Sequence, residues 1–189
     1  MLQRTEAARR AIGIIELRSI ARGMYTTDVM LKQANVELLR AHVVCPGKYV
    51  ILVAGAISQV RSAIDAGRQV APEVVVDACI LPNVHPSVFP ALTATTNVEH
   101  VRAVGVIETF TLVASIIAAD LAVKAAPVEL IEVRLPFAMG GKAFVVFTGE
   151  VSSVRSGVNS AVEQLKDEGV IDSFVVIPSP HKDLIEKLL

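Results

Sequence analysis

The chain has 189 residues, of which 52% are apolar and 20% are charged, and its formal net charge is −1. This composition excludes a disordered chain, and a near-neutral charge with no Trp and only two Tyr argues against a nucleic-acid surface. The longest uncharged stretch, 78–98, is interrupted by three prolines, so no membrane span is predicted. The charged N-terminus is followed by no uninterrupted apolar region, because Glu16 comes early, so no signal peptide is predicted and we expect a cytoplasmic chain.

The chain contains an internal repeat. The segment AIGIIE at 11–16 returns as AVGVIE at 103–108, an offset of 92 residues. The offset grows to 94 after a central turn, where Gly47 corresponds to Gly141, and to 96 near the ends, where His85 corresponds to His181. Two copies are too few for a solenoid, so the repeat predicts two tandem domains, 11–95 and 103–189, after an N-terminal tail at 1–10.

Hydrophobic periodicity predicts the same elements in each copy. In the first copy we expect strands at 11–17, 36–44, 49–55 and 74–81, helices at 26–35 and from residue 57 to 67, and a helical tail at 87–92. In the second copy the clearest elements are strands at 103–108 and 173–177, helices at 115–125 and 151–165, and a tail at 182–189. Ser58 and Ser152 are candidate helix caps. The order is β-α-β-β-α-β, which indicates an α+β class with two ferredoxin-like domains.

The turn between the second and third strands carries a cysteine. Pro46 and Gly47 are typical of a tight turn between two strands of a hairpin, and Cys45 lies at its tip. The second copy has no cysteine there, because 137–142 reads FAMGGK. An iron–sulfur cluster normally needs about four ligands and one chain has no C-x-x-C motif, so the residues alone leave Cys45 either a ligand or a small lining residue.

The other candidate residues favour structural roles. Cys79 lies in an apolar strand and corresponds to Val175, which indicates core packing and no disulfide with Cys45. Glu16 and Glu108 are repeat-equivalent and lack the partners of an acid–base pair. His85 and His181 are also repeated, beside prolines, and no nucleophile elbow or phosphate loop occurs, so the chain is not expected to be an enzyme.

These repeated features resemble the bacterial microcompartment shell domain. The glycine–glutamate strand, the Asp-x-x-x-Lys helix end, the glycine turn and the Pro-x-x-His ending occur in both copies, and two such domains indicate the tandem class. The first copy is similar to the iron–sulfur type of tandem shell protein from propanediol-utilisation compartments. The matching segments are 16–24, 30–36, 45–48 and 85–88.

The resemblance implies a homotrimer that forms a pseudo-hexagonal tile in a microcompartment shell and contacts other shell proteins. It implies that Cys45 of each subunit ligates one [4Fe–4S] cluster shared by three subunits. The implied pore-lining residues are Val44, Pro46, Gly47, Phe137, Ala138, Met139 and Gly140. Lys32 and Lys124 are implied to lie at tile edges. Asn83 and Ser179 stand where single-domain shell proteins often carry an arginine, so that arginine's edge contacts are not expected.

Three functions follow as hypotheses. In the first, the cluster transfers electrons across the shell to or from an encapsulated or cytosolic redox protein, and Lys48 and Lys142 favour the thiolates and the anionic cluster. In the second, the protein is a structural tile whose pore conducts a metabolite without a cofactor. In the third, a trimeric enzyme uses a cleft between repeats, but the sequence lacks a catalytic constellation confined to one copy.

Overall fold

The computed structural model describes residues 11–134 and 142–188 and divides into two compact units, the first ending at Pro86 and the second beginning at Ser87. The first unit contains β1 (Ala11–Leu17), α1 (Ile20–Gln33), β2 (Glu37–Val44), β3 (Lys48–Gly55), α2 (Ile57–Val70), a 3₁₀ turn (Pro72–Val74) and β4 (Val75–Pro82). The second contains α3 (Val88–Thr93), β5 (Ala103–Thr109), α4 (Leu112–Ala125), β6 (Glu129–Arg134), β7 (Ala143–Gly149), α5 (Val151–Leu165), a 3₁₀ turn (Lys166–Glu168), β8 (Ile171–Ile177) and α6 (Lys182–Leu188).

Each unit has one four-stranded antiparallel sheet, in the order β2-β3-β1-β4 in the first and β6-β7-β5-β8 in the second. The predicted α+β class and the β-α-β-β-α-β order of both domains are therefore confirmed. The first strand of each unit pairs with both the third and the fourth, so it lies inside the sheet. The hairpin that carries Cys45 lies at one edge.

Helices α2 and α5 begin at the predicted residues, 57 and 151, but the starts of α1 and α4 differ from the predicted ones. Helices α1 and α4 begin earlier, because Ser19 Oγ accepts a hydrogen bond from the Arg22 N–H at 3.4 Å and Thr111 Oγ1 accepts one from the Ala114 N–H at 3.1 Å. The prediction that Ser58 and Ser152 are caps is wrong. Helices α2 and α5 follow Ala56 and Glu150 in extended conformation, and neither residue makes a side-chain capping bond.

The core of the first unit lies between its helices and one face of its sheet. The closest approach is between α1 and β3, since a Cβ atom at Gly23 would lie only 2.4 Å from Cδ1 of Tyr49. No side chain larger than a hydrogen atom fits at that point, and the ring of Tyr49 fills the space instead. This contact packs α1 against the base of the Cys45 hairpin, since Tyr49 is paired with Val43 on β2.

The second unit has the same arrangement with a larger side chain at its centre. Phe147 on β7 is fully buried and lies against Gly105 of β5 and Gly157 of α5. The opposite face of this sheet holds a smaller apolar cluster, formed by Val104, Ile131 and Val146 with Leu188 of α6 beside it. Both faces of the second sheet therefore carry apolar contacts.

Helix α3 lies in the second unit, where it packs on β6 and on α4. The sequence assigned this segment to the first domain, 11–95, and the predicted domain limits stay a prediction. Within 11–134 and 142–188, every helix is too short or too polar to cross a bilayer.

Candidate functional site

The Cys45 turn is the tip of a regular hairpin. Strands β2 and β3 pair from Glu37 opposite Ala54 to Val44 opposite Lys48, which leaves Cys45, Pro46 and Gly47 as the connecting loop. Gly47 has a φ of +74°, a conformation that glycine adopts without strain. The predicted hairpin is confirmed, and its three-residue loop displays the cysteine at the end of the sheet.

The exposure of the turn residues separates them into two groups. Cys45, Pro46 and Gly47 are exposed, and the Cys45 thiol is free of any disulfide. Val44 is only 4% exposed, and its pairing with Lys48 puts its side chain on the face of the sheet opposite Tyr49. The assignment of these residues to a pore stays a prediction.

Lys48 follows the turn and is held by an ion pair. Its Nζ atom lies 2.6 Å from Oε1 of Glu16 on β1, and both side chains are about one-third exposed. The sequence argument treated Lys48 as a positive charge that favours a thiolate. Glu16 balances that charge at contact distance, and the pair ties the base of the turn to β1.

The second unit repeats this ion pair and adds to it. Lys142 Nζ lies 3.2 Å from Oε1 of Glu108 and 2.7 Å from Oδ2 of Asp172, and Ser173 Oγ donates to Oε2 of Glu108 at 3.0 Å. The hydrogen bonds to Asp172 and Glu108 raise the pKa of Lys142. Glu108 is therefore engaged in a structural network, as the sequence predicted for both glutamates.

Sequence reasoning missed Asp172. Its equivalent in the first copy is Val76, so it is a charged residue present in only one copy, and a comparison of the two final strands identifies it. It adds a carboxylate beside Lys142, which is the residue that follows the segment 135–141 in the sequence. The predicted pore residues Phe137, Ala138, Met139 and Gly140 lie in that segment, outside the described residues.

His42 is a second residue that the sequence analysis left out. It lies on β2, three residues before Cys45, and burial together with the positive charge of Arg40 lowers its pKa below the ordinary value of 6.5. The imidazole is consequently neutral at pH 7 and adds no charge to the hairpin. Its position on the strand that leads into the Cys45 turn is the feature by which the sequence could have identified it.

The predicted tile-edge lysines occupy equivalent positions in the last turns of their helices. Lys32 lies 2.6 Å from Asp28 on α1, and Lys124 lies 2.5 Å from Asp120 on α4. Each is an i,i+4 pair with the acid N-terminal to the base, and Lys also complements the helix dipole there. Both lysines are at the protein surface, and their role at an edge between tiles stays a prediction.

Cys79 differs from Cys45 in its surroundings. It lies on β4, opposite Ile14, and burial, with a smaller effect of Asp77, raises its pKa to about 11. A thiol with this pKa is protonated at neutral pH, and a protonated thiol is a poor nucleophile and a poor metal ligand. The two cysteines of the chain are therefore chemically distinct.

This difference predicts the reactivity of the two thiols in cluster-free protein. At pH 8 we expect one thiol per chain to react rapidly with a small maleimide, because only roughly a thousandth of Cys79 is then thiolate. Stopped-flow labelling of Cys79→Ser should keep the fast phase, and labelling of Cys45→Ser should remove it. A fast phase that survives in Cys45→Ser would show that Cys79 is reactive after all.

The described residues of one chain hold no group of three or more His, Cys, Asp or Glu side chains arranged to bind a metal ion. A cluster bound at Cys45 would thus need ligands from more than one copy. The donor set fits that requirement, since Cys45 supplies one exposed soft thiol at the tip of a rigid hairpin, and thiolates are the usual ligands of iron–sulfur clusters.

Comparison with known proteins gives a consistent result. The model of the BMC domain family matches residues 11–84 and 103–180. The bacterial microcompartment shell protein PduT of Citrobacter freundii is 42% identical over 180 residues, which cover 95% of this chain and 98% of that protein. The carboxysome assembly protein CcmO of Synechococcus elongatus is 30% identical, over 94% of this chain and 68% of that protein.

A solved structure has the same fold along nearly the whole chain. The crystal structure of a microcompartment protein from Desulfitobacterium hafniense superposes with a TM-score of 0.92 at 46% sequence identity, covering 95% of this chain and 99% of that one. Similarity at this level extends over both units.

Proposed function

This chain belongs to the BMC domain family of bacterial microcompartment shell proteins, as a tandem member with two domains, and from that membership we propose that it forms a homotrimeric shell tile carrying a [4Fe–4S] cluster at its central pore. Shell proteins of this family are structural and not enzymes, and they oligomerise and assemble with one another. The trimer, the cluster and its role are the proposed part.

The observation that supports the cluster most strongly is the position of Cys45. It is an exposed thiol at a hairpin tip, present once per chain and absent from the equivalent turn of the second copy. Three copies around a threefold axis bring three such thiols together. Three thiolates supply three of the about four ligands that a cluster needs, and one iron is left for water or another small ligand.

The residues around the turn position the thiol and keep it fixed. The ladder between β2 and β3 holds both ends of the loop, and the Lys48–Glu16 pair ties the loop base to β1. The buried contact between Tyr49 and Gly23 packs the hairpin on α1. When bound, the cluster supplies one-electron redox chemistry at the pore.

A redox centre at the pore suits electron transfer across the shell. Redox enzymes enclosed in a compartment exchange electrons with the outside, and a centre in the wall supplies that exchange without an opening large enough for a protein. The partner is then a redox protein inside the compartment or in the cytosol. The alternative is a tile whose pore conducts a metabolite and holds no cofactor.

Two measurements on the wild-type protein test the proposal. Sedimentation equilibrium should give the mass of three chains, and electron microscopy of concentrated protein should show hexagonally packed sheets. Anaerobically purified protein should absorb visible light, show an EPR signal after reduction, and contain about four iron and four sulfide ions per three chains. A trimer that stays colourless and EPR-silent after reconstitution with iron and sulfide would favour the cofactor-free tile.

A further inference from the structure

Helices α3 and α6 are equivalent elements of the internal repeat. Each follows the last strand of its copy, and the offset of 96 that pairs His85 with His181 continues through both helices. It pairs three apolar residues of α3 with three of α6, namely Val88 with Leu184, Phe89 with Ile185, and Leu92 with Leu188. The two helices therefore carry the same apolar face, at positions i, i+1 and i+4.

The two faces differ in burial. In α3, Val88, Phe89 and Leu92 are all 2% exposed or less, because the helix packs on β6 and α4 of the second unit. In α6 no residue from Lys182 to Leu188 is buried, and Leu184 is 41% exposed. Only Leu188 contacts the outer apolar cluster of its own sheet. An apolar helix face that is covered in one copy of the repeat is thus only partly covered in the other, where Leu184 is exposed.

The surface under α3 has an equivalent on the first unit, at an offset of 92, formed by β2 and α1. Its side chains are exposed where their equivalents are covered. Leu38 is 38% exposed and its equivalent Leu130 is 3% exposed. The same contrast holds for Ile20 at 37% against Leu112 at 7%, and for Met24 at 58% against Ile116 at 0%.

We propose that α6 of one copy docks on the β2–α1 surface of a second copy, as α3 docks on the β6–α4 surface within its own chain. The surface is defined by Ile20, Met24 and Leu38. The proposal rests on the proposed trimer and names the contact that joins its subunits. Both partners expose aliphatic side chains, and their removal from water favours association.

The internal repeat is the reason to choose a second copy as the occupant. Helix α3 follows the first unit and packs on β6 and α4 of the second unit. The repeat-equivalent surface, on β2 and α1, belongs to the first unit and is exposed within its own chain, so the occupant that the repeat indicates is α6 of a second copy. The contact is head-to-tail, so repetition closes a ring when the rotation per chain is one-third of a turn.

Charged substitutions on either side test the contact. Leu184→Asp and Leu38→Asp are each expected to raise the dissociation constant of the trimer at least about tenfold, since each places a carboxylate in an apolar contact. The readout is sedimentation across a range of protein concentrations. The matched control is Ile57→Asp, because Ile57 is 44% exposed and its equivalent, Val151, is also not buried. This variant should associate like the wild type.

Cross-linking provides a readout that does not depend on the stability of these variants. In chains that carry Cys45→Ser and Cys79→Ser, a copy with Leu38→Cys is co-expressed with a tagged copy with Leu184→Cys. A short bismaleimide should then join one chain of each kind into a covalent dimer, and neither chain expressed alone should form one. Circular dichroism of all variants checks that they are folded.

The outcomes separate the two proposals. If the wild type is a trimer, the Asp variants associate normally and the mixed chains fail to cross-link, the α6 contact is wrong and the shell tile still stands. If the wild type is a monomer at every concentration and forms no sheets, both proposals are wrong. Weakened association of both Asp variants together with the mixed cross-link supports the α6 contact.

Discussion

The variant Cys45→Ser is expected to lose the visible absorption and the reduced-state EPR signal of the cluster completely, while it keeps the mass of the wild-type trimer. A serine hydroxyl stays protonated at neutral pH and is a far weaker ligand for iron than a thiolate. The threefold arrangement multiplies the effect, because one substitution in the gene removes three ligands. The exposed turn should tolerate serine with a stability change within about 0.5 kcal/mol.

The matched control for this variant is Cys79→Ser. Cys79 is partly buried on β4 with a pKa raised to about 11, so it is not expected to act as a ligand. Cys79→Ser should keep its iron content and spectrum. The cluster assignment would be wrong if Cys45→Ser kept a wild-type spectrum, and the choice of ligand would be wrong if Cys79→Ser lost it.

The second large effect is expected from Phe147→Ala, at about 3–5 kcal/mol of lost stability. Phe147 is fully buried, and its ring fills the space that Gly105 and Gly157 leave between β5 and α5. Because glycine has no side chain that can move into the vacated volume, the cavity should persist and the cost should lie in the upper part of that range. Denaturant unfolding at a fixed protein concentration measures it.

Phe174→Ala is the control, since Phe174 lies on the edge strand β8 of the same sheet and is 52% exposed. Its loss should cost less than about 1 kcal/mol. Equal losses for the two variants would mean that the unit is not stabilised mainly by the core around Phe147. A large loss at Phe174 alone would place that residue in a subunit contact.

The repeat made the fold predictable from sequence. Each element occurs twice, so a weak pattern in one copy is supported by its equivalent in the other. The order of strands and helices along the chain follows from the two copies together. The starts of α1 and α4 were predicted too late, at residues 26 and 115 instead of 20 and 112, and the first turn of α1 contains Gly23, which periodicity alone does not mark as helical. The caps at Ser19 and Thr111 depend on backbone geometry, which hydrophobic patterns do not report.

The candidate site was predictable in its residue but not in its electrostatics. Cys45 was identified because it is a lone thiol at a predicted turn, and the hairpin confirms that position. The sequence treated Lys48 as a free charge, whereas the structure pairs it with Glu16 of β1, 32 residues earlier in the chain. Such a pair is set by which strands are neighbours, and Asp172 joins Lys142 for the same reason.

By itself, the sequence determined that two copies of one domain follow each other, that each is α+β, and that one cysteine lies at the tip of a turn in the first copy only. Periodicity and turn chemistry are local, so the chain states them directly. The tertiary structure decided which charges pair, that Val44 is buried, that Cys79 is protonated, and that the apolar face of α3 is covered while Leu184 on α6 is exposed. These depend on distances between segments far apart in the chain, which residue patterns do not encode.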